Sequence, residues 1–599
     1  ELTEAYPEIT SSQWLASTYI NSDSERISAK ANERYLGMLS KYIAKAKTFP
    51  ADAKMTPETA RALHLLKIGV TLPPPNDPKA LAEMTGLATK LEGMYGSGKY
   101  CPDSKKPADC LDIGAVSKIL AEPTSTYEQQ LNAWNGWHTI AIPMRKDYQR
   151  FAELSNQGAK DLGFGNTGEL WRSGYDMTPA DFQKESDRLW GQVEPLYKEL
   201  QCYTKNKLVT KYGDKGQING MIPAHLTGNL WQQDWGSLWP ILEPYKGAGS
   251  LDINSVLQKQ HDKVLNEKLA AAGGAATLSP LKFADISHEA DLQQAKDMAR
   301  LSESFYTGLG MPKLPESHWS NAQFIKPRDR DVVCHASAWD MNLQGDVRIK
   351  MCITPTEEDL TTLYHEYGHV YYYLAYNKLP ILFQGGAHDG FHEAIGDTIV
   401  LSMTPEYMSS IGLIDKPAVS QEAVINGQMR MALAKVAFMP FGLMIDRWRW
   451  GVFDGSIKPD QYNKAWWDLK AKYQGVAPAT ARGEEFFDAG AKYHVPGNTP
   501  YTRYFLSHIL QFQFYKALCD ASGYKGPLYQ CNFANNPEAG KRYWAMLSKG
   551  SSQPWQKTMK ELTGKEEMDG SAVLEYFAPL QSWLKEQNQG QQCGWKAPE

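Results

Sequence analysis

The run Thr361-Thr362-Leu363-Tyr364-His365-Glu366-Tyr367-Gly368-His369-Val370-Tyr371-Tyr372-Tyr373-Leu374 constrains the fold of this chain more than any other stretch. Its apolar flanks predict a largely buried helix, and two histidines and a glutamate inside such a helix need a partner. At 3.6 residues per turn, His365 and His369 fall at i and i+4 on one face and can turn both imidazoles to one ion. Glu366, one residue on, can reach a water at an open metal position and take its proton. A bare five-residue match also arises by accident, so the flanks decide, and they favour a single zinc ion.

A third ligand is then required. Glu393, in Phe391-His392-Glu393-Ala394-Ile395-Gly396-Asp397, lies 24 residues after His369. The Leu379-Pro380 and Gly385-Gly386 punctuation between them allows a second helix to pack back. Asp397 sits at i+4 from Glu393, placed to accept the second ring N–H of a ligand histidine. His388 and His392 are rival ligands, but two histidines and one carboxylate form a common hydrolytic zinc set.

At 599 residues the chain exceeds the usual single-core limit, so length suggests two or more domains or one multi-lobed unit. A 42% hydrophobic, 22% charged composition is that of a soluble globular protein, and a net charge of −5 gives no support for nucleic-acid binding. Lysine clusters such as Lys205-Asn206-Lys207 are expected on solvated helix faces. No apolar run approaches about 18 residues, so no membrane span is expected. A start at Glu1 without an apolar leader fits a mature secreted form or a cytosolic protein. The eight cysteines separate the two. Cys101/Cys110, Cys334/Cys352 and Cys519/Cys531 each bracket a short polar or Gly/Pro loop, as small disulfide loops do. Cys202 and Cys593 remain, to pair with each other or stay free. An oxidising compartment is expected, secreted or periplasmic. No Asn-x-Ser/Thr acceptor occurs, which leans towards a bacterial periplasmic source.

Helical periodicity dominates, over 11–47, 53–70, 78–96, 125–160, 180–212, 289–309, 356–379, 391–403, 421–447, 503–522 and 572–587. Strand-like segments are few: Val332-Val333 and Val347-Arg348-Ile349, read as a hairpin flanking the 334/352 loop, and an extended Lys492–Val495. Lys492 and His494, at i and i+2, would share a face of that segment. The Ala/Gly-rich stretch 269–278 reads as a surface excursion, and Gly247-Ala248-Gly249 as a turn. No boundary appears mid-chain, so one domain over 1–599 is expected.

With the zinc motif, Glu393–Asp397 and Cys334-His335-Ala336-Ser337-Ala338-Trp339 in hand, the sequence resembles the angiotensin-converting enzyme family of dipeptidyl carboxypeptidases. Ile222–Leu226, Phe438–Gly442, Asp446–Gly451 and Tyr501–Phe505 agree, and the resemblance covers nearly the whole chain. It implies a mainly α fold: a two-lobed helical ellipsoid with a deep central cleft, a few short strands near the zinc site, and a helical lid over about 1–100. It implies a soluble, monomeric peptidyl-dipeptidase acting on oligopeptides with a free C-terminus. His365, His369 and Glu393 would hold zinc, Glu366 would be the base, and His494 and Tyr504 would stabilise the tetrahedral oxyanion. His335 and the Ala336 backbone would align the substrate. Gln233, Lys492 and Tyr501 would clamp its terminal carboxylate. Tyr175 and Arg503 match one chloride site. A second such site would use His138 and Lys470 where arginines are usual, so at most one chloride is expected. Asp234 replaces a usually uncharged residue and is expected to favour basic side chains near the substrate C-terminus. The competing readings are an endopeptidase without a carboxylate requirement and an inactive peptide-binding homologue.

Overall fold

In the computed structural model the described residues are 1–49, 54–103, 109–415, 417 and 420–597. Among them the fold is mainly α, with four short strands. The chain forms two compact units, one of Glu1–Leu66, Ser250–Ala418 and Ile509–Ala572, the other of Lys67–Gly249, Val419–His508 and Val573–Glu599.

In the first unit the helix expected over 11–47 is two, Leu2–Thr18 and Ser22–Ala46. Asn21 causes the break: its side chain accepts from the Asp23 and Ser24 amides while the Ser24 hydroxyl accepts from the Asn21 amide, so a new helix starts there. The expected hairpin is shifted. Val333 N–H bonds to Ser17 O rather than to a strand, and the antiparallel pair is Ser337–Asp340 with Val347–Lys350, inside the Cys334–Cys352 disulfide. The helix expected from 289 begins at Pro280, behind the Ser279 cap. The stretch 269–278 holds the end of helix Ile253–Ala271 and a turn at Gly273 and Gly274, both with positive φ.

In the second unit, Pro143 splits the 125–160 prediction into Tyr127–His138, a 3-10 turn and Arg145–Asp161. Helix Gln421–Asp454 is buried almost all round, which erases the periodicity that sets its predicted end at 447. Ile222–Pro223 pairs in parallel with Val476–Ala477. Lys492–Val495 is a turn, not a strand: Val495 N–H bonds Lys492 O at 2.9 Å and Gly497 N–H bonds Tyr493 O at 2.7 Å. The shared-face argument for Lys492 and His494 therefore fails. Lys205 is no solvated residue either. It is buried, donates to Gln592 O, and burial lowers its pKa.

All eight cysteines are paired: Cys101–Cys110, Cys334–Cys352, Cys519–Cys531 and, closing the open question, Cys202–Cys593. Among the described residues no helix is long and apolar enough to cross a membrane.

Candidate active site

Helix Glu357–Tyr376 starts at the Thr356 cap, whose hydroxyl accepts from Asp359 N–H, with three acids in its first turn. Its buried face carries Leu360, Leu363, Tyr364 and Tyr367, as the flanks predict. Helix Asp389–Leu401 packs directly on it because both present glycine at the crossing. A Cβ on Gly368 would stand 2.3 Å from Gly396 Cα, and one on Gly396 would stand 2.2 Å from His365 O. That approach lays Glu393 and Asp397 against the histidines.

The result is one convergent group. His365, His369 and Glu393 each offer a ligand atom, all within 4.8 Å of one another. The two Nε2 atoms face each other at 3.1 Å, and His365 Nε2 lies 3.8 Å from Glu393 Oε2. Two nitrogens on a tetrahedral zinc at ordinary bond lengths stand about 3.3 Å apart, so the donor set fits the metal. His365 Nδ1–H donates to Asp397 at 2.9 Å. Burial alone would lower the His365 pKa, but Asp397, aided by Glu366 and Glu393, raises it to about 9, a basic imidazole suited to a cation. Burial and the neighbouring His365 push His369 down to about 4.

The two rival histidines are held by other partners. His388 Nδ1 accepts from Gly390 N–H at 3.0 Å and so caps its own helix. His392 turns Nδ1 to His369 Nδ1 at 2.9 Å and Nε2 to the Tyr376 hydroxyl at 3.0 Å. With His369 Nε2 facing a cation, its Nδ1–H donates to His392, whose Nε2–H donates to Tyr376. His365 is thus oriented by a carboxylate and His369 by the His392 imidazole.

Glu366 is buried beside Lys350, whose pKa burial lowers while the Glu366 charge raises it. Lys350 Nζ donates to Val333 O and His335 O, each at 2.7 Å, and so anchors the segment leading to Ala336. His335 itself is exposed. Sequence reasoning missed Lys350, since a strand lysine ordinarily points to water.

The second unit gathers the other candidates. Lys492 Nζ donates to Gln233 Oε1 at 2.7 Å, the Tyr501 hydroxyl donates to the same oxygen at 3.4 Å, and the ammonium lies 4.3 Å from the Trp231 ring centroid. Burial drops the Lys492 pKa to about 7. His494 and Tyr504 join Tyr501, with ring centroids 4.7 Å (His494–Tyr501), 4.9 Å (Tyr501–Tyr504) and 5.8 Å (His494–Tyr504) apart. Asp446 and Arg449 hold this segment, a role that no local pattern signals. Asp234 accepts from Gly236 N–H at 2.7 Å, and burial raises its pKa. Tyr175 is buried and stacks on Phe182 with centroids 4.0 Å apart. Arg503 lines a cavity of about 390 Å³ with Glu92 and residues 496–500. His138 is buried and bonds Trp134 O, and burial lowers its pKa to about 4, leaving it neutral.

The sequence profile of the family described as "Angiotensin-converting enzyme" (peptidase M2) matches residues 1–595. The chain belongs to this family. It is 38% identical to an angiotensin-converting enzyme of Rattus norvegicus over 98% of the chain and 43% of that protein. The values for the Bos taurus enzyme are 39%, 98% and 43%, and for the Theromyzon tessulatum enzyme 39%, 84% and 77%. The chain therefore spans less than half the length of the Rattus norvegicus and Bos taurus relatives. Against the family pattern, the convergence of His365, His369 and Glu393 is the metal group that membership leads one to expect.

Proposed function

We propose that this chain is a zinc peptidyl-dipeptidase that releases dipeptides from the free C-terminus of oligopeptides. The single observation that carries the reading is the His365–His369–Glu393 group with Glu366 on the same helix, in a chain matched by the family over 1–595. Zinc, when bound by those three residues, supplies a Lewis acid that makes water acidic and polarises a carbonyl. Glu366 takes the proton from the attacking water and returns it to the nitrogen of the leaving amine. His494 and Tyr504 donate to the oxyanion that develops on the scissile carbonyl oxygen, each worth about 2–4 kcal/mol in such sites. His335 and the Ala336 backbone align the substrate main chain.

Gln233, Lys492 and Tyr501 supply the carboxylate selectivity. Lys492 is a buried amine whose nearest partners are the neutral Gln233 oxygen and aromatic rings. A peptide carboxylate would complete it, and two neutral donors beside it suit the second oxygen. Tyr175 and Arg503 would hold one chloride. Four disulfides favour an oxidising compartment, which we read as secreted or periplasmic, with the protein a monomer and residues 1–599 one catalytic domain.

Matched peptides with free and amidated C-termini test the reading. Amidation should abolish dipeptide release, and unchanged cleavage would make the protein an endopeptidase. Glu366→Gln should lose turnover while keeping zinc; retained activity would remove Glu366 as the base and a silent unaltered protein would leave only peptide binding.

A further inference from the structure

Lys470 is 1% exposed, and its ammonium lies 2.6 Å from both the Trp231 carbonyl oxygen and the Gln232 side-chain oxygen. The rings of Phe441 and Trp466 cover it, with centroids at 4.6 and 5.6 Å. A buried amine is costly unless its protons are bonded, and here two of them go to one loop. Gln232, the residue so held, is 1% exposed and has φ +60°. Left-handed backbone is uncommon for glutamine and persists only where its surroundings impose it. The surroundings here are specific. Gln474 Nε2 donates to Gln232 O at 2.9 Å, and Gln232 Nε2 donates to Leu230 O at 2.8 Å. The next residue is Gln233, whose oxygen meets Lys492.

The far side of this cradle is braced. Lys470–Gln474 form one wide turn ending at Gly475. The Trp595 indole donates to Ala471 O at 2.6 Å, and its ring packs so closely on Gly475 that a Cβ there would come within 2.6 Å. Two residues earlier, Cys593 bonds to Cys202 and fastens the tail.

We propose that Lys470 is a positioning residue: with Gln474 it imposes the left-handed conformation on Gln232 and thereby keeps Gln233 beside Lys492, where the pair selects a free carboxylate. Without the cradle, residue 232 relaxes to negative φ, the following peptide swings, and Gln233 leaves Lys492. The inference rests on the dipeptidase reading. A lysine that only fills space in the core would make no such link.

The test uses the zinc-loaded protein, with zinc content and melting temperature as controls, and matched free and amidated peptides. Lys470→Met should lower the preference for the free peptide about tenfold, mostly through KM. Adding Gln232→Gly should recover part of it, because glycine takes positive φ without help. Gln474→Met, a milder change, should move the preference the same way. A crystal structure of Lys470→Met should show residue 232 at negative φ. An unchanged preference in either folded variant overturns the inference, as does φ remaining near its original value. A loss that Gln232→Gly does not relieve also overturns it. An unaltered protein with no preference instead refutes the carboxylate reading, while the φ measurement still judges the positioning.

Discussion

Asp446 and Arg449 form an ion pair with side chains 2% and 0% exposed. Arg449 donates from Nη1 to His494 O at 2.8 Å and from Nη2 to Thr499 O at 2.6 Å. Asp446 Oδ2 accepts from the Tyr501 and Thr502 amides and the Thr502 hydroxyl at 2.7, 2.8 and 2.9 Å. One pair thus ties both ends of the segment carrying His494 and Tyr501 to helix Gln421–Asp454. Asp446→Ala leaves a buried guanidinium unpaired, at a cost of about 3–5 kcal/mol, and Arg449→Met strands the carboxylate at a similar cost. The double variant contains no uncompensated charge. What it still loses is three donors and two acceptors left without partners, about 5 kcal/mol at roughly 1 kcal/mol each. The double variant should therefore be about as stable as either single one, although addition predicts about 6–10 kcal/mol. Urea unfolding followed by tryptophan fluorescence measures the cycle, and kcat/KM should fall in all three variants. Additivity within about 0.5 kcal/mol would refute the claim that the pair acts as one buried unit.

Three further outcomes are expected. His392→Leu removes the acceptor that orients His369, so zinc affinity by chelator competition should fall about 10–100-fold with the fold retained; unaltered affinity would return His392 to a packing role. Lys492 titrates near 7 when folded against an ordinary 10.5. The unfolded chain therefore binds the extra proton between these values, and this group's contribution to stability rises with pH from about 7 to 10.5. Lys492→Met should flatten stability across that window, and KM for free-carboxylate peptides should rise above pH 7 in the unaltered protein. Activity against chloride concentration should need one binding term, because His138 is neutral and Lys470 is committed to Trp231 and Gln232; two terms would contradict this.

The metal helix was legible because its signal is local: i and i+4 spacing lets one turn of backbone geometry place both histidines. Glu393 and Asp397 were legible for the same reason, once a second helix was granted. The split at Asn21 went unread because apolar spacing ran through it, and the end of the 421–454 helix because burial all round leaves no polar face to mark a boundary. Lys492 and His494 show a subtler failure. Lys492 bonds Gln233 and His494 packs on Tyr501 and Tyr504, but from a turn rather than an extended segment.

The i and i+4 pairing of His365 and His369, the place of Glu366 beside them and the mainly helical class follow from residue type and spacing along the chain, where covalent geometry alone sets the distances. The choice among His388, His392 and Glu393, the burial of Lys350 and Lys470, and the Asp446–Arg449 anchor were decided by tertiary packing. Each depends on groups from distant segments meeting away from water, where an unpaired charge or donor is costly and only a partner on another element can meet that cost.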